Sequence, residues 1–218
     1  MSKIGILGTG NVGDTIGSRL IELGHSVTMG SRTNNNEKAL AFVAKHGDKA
    51  LAGTFAEAAS FGEIIFNCTK GLGSLDALHM AGENNLKDKI IVDVSNPLDF
   101  SQGMPPSLTV SNTDSLAEEI QRAYPSSKVV KTLNTMWAGL MVNPNLINNG
   151  DHTAFISGND TDAKNTVKEI LVSFGWIDKN IIDLGDITTS RGTEMYLALW
   201  VRVMASLNTG SFNIKIVS

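Results

Sequence analysis

Gly8, Gly10 and Gly13 stand in the pattern G-x-G-x-x-G, between an apolar run over residues 3–8 and an amphipathic one. Glycines at this spacing let the chain turn tightly and let its backbone meet a pyrophosphate at close range. The start of a following helix adds unpaired N–H donors and a positive dipole end. Thr9, Asn11 and Val12 complete the turn. A second group follows, Ser31, Arg32 and Thr33. Turns of this kind usually have an Asp or Glu at that place, which accepts from the ribose hydroxyls of NAD and repels a 2′-phosphate. No carboxylate occurs between residues 26 and 36. A guanidinium reverses both effects, because it holds a phosphate through paired charge-assisted hydrogen bonds, and two hydroxyls add donors. The expectation is a site for NADP, with Lys38 near enough in sequence to assist. Asp14 reads as a carboxylate favoured by the dipole of the helix it opens.

These groups act only if regular elements hold them in place. Residues 3–8 read as a strand. Over 11–24, Val12, Ile16, Leu20 and Leu23 fall on one helical face, and Gly24 stops the helix. A strand pattern over 25–30 follows, and then "EKALAFVAKHG", "KALAGT", "FAEAAS", "EIIFNCT", "LDALHMAG" and "KIIVDVSNP" alternate helix and strand character. That alternation predicts an α/β fold, a Rossmann-type doubly wound and mainly parallel sheet with helices on both faces. Residues 114–125 predict a capped amphipathic helix and 128–134 a sixth strand. Segments 152–158, 161–175 and 180–185 extend the strand and helix pattern, and 189–209 reads as a last helix. Long loops are expected over 99–113 and 138–151 from their Pro, Gly, Ser and Asn content. The division expected is a dinucleotide-binding part over 1–150 and a C-terminal extension over 151–218.

Composition narrows the class. The 218 residues include 42% apolar ones and carry a formal net charge of −4, which suits a globular chain with one sizeable core. No long basic run points to nucleic acid or an anionic membrane surface. Cys68 is the one cysteine, so no intrachain disulfide forms and no Cys/His metal spacing exists. Strand character begins at Lys3, which leaves no room for a signal peptide, and the apolar run 195–207 is too short to span a bilayer. A reducing, cytoplasmic setting is expected.

The stretches "GTGNVGDTIGSRLIELGHSVTMGSR", "KVVKTLNT" and "DLGDITTSRGTEMYLALWVRVMASLNTGSFNIKIV" resemble the NADPH-dependent F420 reductases, and the oxidoreductase domains of the STEAP metalloreductases look similar. The resemblance implies a Rossmann domain with a small C-terminal part, a homodimer, and hydride passage between NADP(H) and a deazaflavin or flavin. By position it places Thr9, Gly10, Asn11 and Val12 at the pyrophosphate, and Ser31 and Arg32 at the 2′-phosphate. Thr69, Lys70, Asn96 and Pro97 fall around the ribose and nicotinamide. It implies an acceptor pocket near Asn134, walled by the terminal helix with Arg191 and Met195. This chain departs from the archaeal F420 enzymes at Asn134, where they have His, and over residues 69–73, where they have an Ile-Pro-Trp type stretch. The cofactor half of the resemblance therefore transfers better than the acceptor half.

Ligands in open α/β sheets lie beyond the carboxyl ends of the strands, where strand order reverses. Here those ends are Gly8, Ser31, Thr69, Asn96 and Asn134. No catalytic dyad accompanies them, and hydride transfer between stacked rings requires none. His25, His46, His79 and His152 read as surface or structural residues, and Cys68 as a small buried one. The terminal helix is apolar on most sides, with Arg191, Glu194, Ala198 and Arg202 in one stripe, and is expected to be buried on most sides. Two other readings share the N-terminal pattern. Dehydrogenases of the imine-reductase or β-hydroxyacid type add a long helical domain and a helix-borne catalytic lysine. Too little chain is expected after residue 185 for that domain, and Lys168 lacks the G-x-x-G-x-G context. A non-catalytic NADPH sensor is the alternative from another class.

Overall fold

A computed structural model describes residues 1–217 of the chain. The first half is built as strand–helix repeats: β1 (Lys3–Leu7), α1 (Asn11–Glu22), β2 (Ser26–Ser31), α2 (Glu37–His46), β3 (Ala50–Thr54), α3 (Phe55–Phe61) and β4 (Ile64–Asn67). Next come α4 (Ser74–Ala81), α5 (Glu83–Leu86), β5 (Ile90–Asp93), and a small hairpin of β6 (Leu98–Asp99) and β7 (Ser107–Leu108). The second half holds α6 (Leu116–Ala123), β8 (Lys128–Thr132), α7 (Ala138–Val142), β9 (Ala154–Gly158), α8 (Thr161–Ser173), β10 (Ile181–Asp183), α9 (Ser190–Met195) and α10 (Leu197–Leu207).

One eight-stranded sheet runs in the order β10-β9-β8-β5-β4-β1-β2-β3. Strands β3, β2, β1, β4, β5 and β8 are mutually parallel. Strand β9 is antiparallel to β8, and β10 is parallel to β9. Segments 152–158 and 180–185 thus join the sheet. The order reverses between β1 and β4, so the carboxyl ends of these two strands flank the crevice where ligands of such sheets bind.

The strands bury both faces, and their alternation splits the core in two. Ile4, Ile6, Met29, Phe66, Val92 and Val130 meet α1, α2, α7 and α8 on one side. Leu7, Ile65, Ile91 and Val129 meet α3, α4 and α6 on the other. On α1 the buried face is Gly13, Ile16, Gly17, Leu20 and Ile21. Gly13 belongs there because a Cβ on it would lie 2.1 Å from the Gly8 carbonyl oxygen. Close packing of the helix start on the turn is what that glycine secures.

Three expectations are corrected. Segment 99–113 includes the β6–β7 hairpin, closed by pairing of Leu98 with Leu108, rather than a plain loop. Segment 138–151 holds α7 and two short 3₁₀ turns, because Leu140, Met141 and Val142 pack into the core beside α1. The terminal helix divides at Tyr196 into α9 and α10. In α10 only Leu197 and Val201 are buried; Leu199 and Leu207 are more than half exposed. Trp200, Val203 and Met204 are half-buried, so the helix is covered by its own chain on one side and leaves Leu199 and Leu207 open.

Candidate functional site

Gly8 follows β1 in a left-handed conformation, φ 118°, which favours glycine, and its N–H donates to the Gly30 carbonyl at 3.0 Å. The chain then enters α1 through Gly10, whose φ of −79° and ψ of −178° any residue can adopt. A Cβ on Gly10 would meet no protein atom within 4 Å. Neither backbone conformation nor packing within the chain requires glycine there. The open approach to the backbone suits a pyrophosphate, and the donor set at the start of α1 fits an anion. Residues Gly8, Thr9 and Gly10 border a cleft of about 770 Å³, together with Ser31, Arg32, Asn36, Phe55, Cys68, Thr69, Lys70, Leu72 and the α4 side chains Asp76, His79 and Met80.

The turn after β2 is held by its own hydroxyl. Ser31 Oγ donates to the Thr33 carbonyl at 2.5 Å and accepts from Thr33 N–H at 3.3 Å. Asn36 then caps α2, accepting from Lys38 and Ala39 N–H at 3.1 Å each. Arg32 is exposed between these fixed points. Among the described residues it forms no hydrogen bond or ion pair, so its guanidinium is available to an anion. Lys38 borders a neighbouring recess with Thr9, Gly10, Asn11 and Asp14. Ser31 is buried and its proton is committed to Thr33, so it shapes the loop that presents Arg32.

The cleft continues into a second cavity of about 550 Å³, lined by Val12, Cys68, Thr69, Lys70, Leu72, Val94, Ser95, Asn96, Leu98, Asp99 and Phe100. Cys68, Thr69, Lys70 and Leu72 border both spaces. Pro97 is buried and carries the hairpin, its carbonyl accepting from Thr109 N–H at 2.8 Å. Burial, and secondarily the Asp93 charge, push the Cys68 thiol up, so it stays protonated and unreactive.

The three residues assigned to an acceptor pocket lie elsewhere. Asn134 is buried: its Nδ2 donates to Asn96 Oδ1 at 2.9 Å and to the Thr193 carbonyl at 3.1 Å, while its backbone carbonyl accepts from Asn96 Nδ2 at 2.9 Å. It fastens the ends of β5 and β8 to α9. Arg191 forms a fork with Glu118 on α6, Nε and Nη2 donating at 2.8 and 2.6 Å. That pairing holds the Glu118 carboxyl below its ordinary range. Met195 is partly exposed. None of the three lines either cavity.

Behind the cavities lies a charged row with no counterpart in the sequence reading. Register makes Asn67, Asp93 and Lys131 lateral neighbours on β4, β5 and β8. Lys131 Nζ donates to Asp93 Oδ2 at 2.8 Å and to the Ser95 carbonyl at 2.5 Å, and lies 2.8 Å from Glu194 Oε1. Burial alone would lower the Lys131 pKa; the two carboxylates outweigh it and hold the group above its usual value. Glu194 also accepts from Leu116 and Ala117 N–H, at 2.8 and 3.1 Å, at the start of α6. The signal available in the sequence was Asp93 and Lys131 interrupting apolar strand runs. The cleft residues Asp76 and Met80 carried a weaker one, an i, i+4 spacing on the helix after the switch point.

A Rossmann-type sheet, a glycine turn open to a pyrophosphate and an unpaired arginine beyond β2 define the class of NADP-dependent oxidoreductases. Comparison with known proteins narrows this. A family model described as NADP oxidoreductase, coenzyme F420-dependent, matches residues 3–97. A solved structure from Arthrobacter sp. FB24, whose assignment as an F420-dependent NADP reductase is itself inferred, is 48% identical, with all of both chains covered and a TM-score of 0.94. The chain belongs to the F420-dependent NADP oxidoreductase family. The metalloreductase STEAP3 of Rattus norvegicus is 30% identical over 88% of this chain and 36% of its own, and STEAP2 of Homo sapiens 27% identical over 88% and 35%. The chain therefore spans about a third of the length of these curated relatives. A reductive aminase from Aspergillus terreus in complex with NADPH shares the fold alone, at 16% identity over 95% of this chain and 62% of its own, with a TM-score of 0.66. Among the described residues no helix is long and apolar enough to cross a membrane.

Proposed function

We propose that the protein binds NADPH along the cleft from Arg32 to Thr69 and delivers its hydride to a flavin or deazaflavin ring in the adjoining cavity. The observation that carries this is the continuity of the two spaces through Cys68, Thr69, Lys70 and Leu72. NADPH supplies the hydride when bound. The chain's part is to grip the pyrophosphate at Gly8–Val12, hold the 2′-phosphate on Arg32, and keep the transfer space dry. Val12, Leu72, Val94, Leu98 and Phe100 give that space apolar walls, and its volume lies within the range of ordinary ligand sites. Two rings held in contact there need positioning and exclusion of water more than a protein acid or base.

The exposed Leu199 and Leu207 of α10 support a homodimer, with the half-buried Val203 between them in the contact, and the lone cysteine suits a cytoplasmic setting. Anaerobic NADPH oxidation, measured against F420, FMN, FAD, riboflavin and ferric chelates, tests the function. Saturable turnover with F420 or a flavin is expected. Tight NADPH binding without single-turnover hydride transfer to any of them would show a sensor instead.

A further inference from the structure

Thr69 stands where the two cavities meet, and its backbone lies against the glycine turn: a Cβ on Gly8 would come within 3.2 Å of Thr69 N. Its hydroxyl is held in a small closed ring. Thr69 Oγ1 lies 2.6 Å from Asn67 Oδ1 and 2.8 Å from Ser74 Oγ, and Asn67 Nδ2 lies 3.2 Å from Ser74 Oγ. The direction of each bond follows from the charge behind it. Asp93 faces the Lys131 ammonium at 2.8 Å and has only lone pairs to offer, so the Asn67 atom 2.8 Å from its other oxygen must be the N–H₂ group. That turns Asn67 Oδ1 toward Thr69, which must donate to it. Ser74 must then donate to Thr69. A hydroxyl has one proton and two lone pairs. With the proton and one lone pair engaged, a single lone pair remains for anything in the cleft.

We propose that Thr69 is a specificity-determining residue that meets the bound dinucleotide as a hydrogen-bond acceptor only, and that the buried Asp93–Lys131–Glu194 cluster is the positioning element that fixes this polarity through Asn67. The proposal rests on the reading of the cleft as the NADPH site. The partner must be a hydrogen-bond donor. The nicotinamide half of NADPH offers ribose hydroxyls and a carboxamide N–H₂. The cluster is built to hold one arrangement. Lys131, Asp93 and Glu194 are 0–1% exposed, and the acceptors around Lys131 use all of its protons. Glu194 ties the same arrangement to the start of α6, and a turned Asn67 amide would set its oxygen against Asp93 Oδ1, which has no proton to give.

Titration of the wild-type protein with NADPH comes first. Failure to bind would overturn the reading of the cleft and this proposal together. Given binding, Thr69→Val should weaken it roughly two- to tenfold, the worth of one neutral hydrogen bond, and Thr69→Ser should restore most of the loss. The 3-acetylpyridine analogue of NADPH keeps the riboses and lacks the carboxamide N–H. A valine penalty that persists with it identifies a ribose hydroxyl as the donor; a penalty that disappears identifies the carboxamide. Asp93→Asn frees the Asn67 amide to turn over. It should weaken NADPH binding to a similar extent and add nothing on top of Thr69→Val, because both remove one interaction. If Asp93→Asn does not fold, the triple replacement with Lys131→Met and Glu194→Gln removes the buried charges together, which ion clusters tolerate better than loss of one member. Wild-type affinity in Thr69→Val would refute the acceptor role while leaving the NADPH site intact. Fully additive losses would refute the positioning role of the cluster.

Discussion

Gly10→Val separates binding from folding more cleanly than any other change at this site. A Cβ at Gly10 would meet no protein atom within 4 Å, and the backbone there is extended. Two small effects on stability then oppose each other. Gly10 is the N-cap of α1 without a side-chain cap bond, and a β-branched residue caps less well than glycine, at a cost of about 1 kcal/mol or less. Removing glycine also narrows the unfolded ensemble, which stabilises by about 0.4–1 kcal/mol. The net is close to zero, and the midpoint of thermal unfolding should move by no more than about 2–4 °C. Binding should respond quite differently. The valine fills the path by which the pyrophosphate reaches the backbone. Loss of even two charge-assisted hydrogen bonds, each worth about 1.5–3 kcal/mol, weakens NADPH more than about a hundredfold. Gly13→Ala is the contrasting control, since its Cβ would lie 2.1 Å from the Gly8 carbonyl. That overlap must displace backbone, so this variant should lose stability, by about 1–3 kcal/mol. Calorimetric titration and thermal denaturation on the same samples decide the matter. A folded Gly10→Val protein with wild-type NADPH affinity would refute the placement of the pyrophosphate.

Arg32→Ala should cost NADP roughly 1.5–3 kcal/mol of binding and leave NAD almost unchanged, because the guanidinium has no other partner among the described residues; equal losses for both cofactors in parallel titrations would refute the 2′-phosphate assignment. The pairing with Arg191 depresses the Glu118 carboxyl, so its stabilisation is present above the ordinary carboxylate range and lost as pH falls through the folded value. Arg191→Met should therefore lower the unfolding temperature near neutral pH and flatten its decline in acid; an unchanged acid limb would contradict the linkage. Val203→Glu should bury an unpaired carboxylate in the proposed dimer contact, at several kcal/mol, and dissociate the dimer while NADP binding persists. Sedimentation tests this directly, and a wild-type protein that is monomeric at micromolar concentration would rule the contact out.

The sequence determined the parts whose physics is local. Glycine spacing, the apolar run before it and the helical period after it specify a phosphate-binding turn without reference to the rest of the chain. The replacement of a carboxylate by Arg32 states a charge preference by itself. Alternating apolar runs were enough for the parallel sheet, since a strand buried on both faces must read that way. Tertiary structure decided the parts that depend on which strands become neighbours. Asn67, Asp93 and Lys131 lie far apart in the chain, and only the β4–β5–β8 register sets them in one row. Asn134 ends a strand like the other ligand-facing residues, yet both N–H donors of its amide go to Asn96 and Thr193, and no periodicity reveals a hydrogen-bond partner. Arg191 and Met195 share a helix that the family resemblance places against a pocket, whereas Glu118 of α6 draws the arginine elsewhere. The hairpin that brings Leu98 and Phe100 over the second cavity lies in a segment whose composition reads as loop, and its two short strands exist because they pair with each other. Local chemistry is written in adjacent residues. Polarity at a buried site is set by neighbours that only the folded sheet supplies.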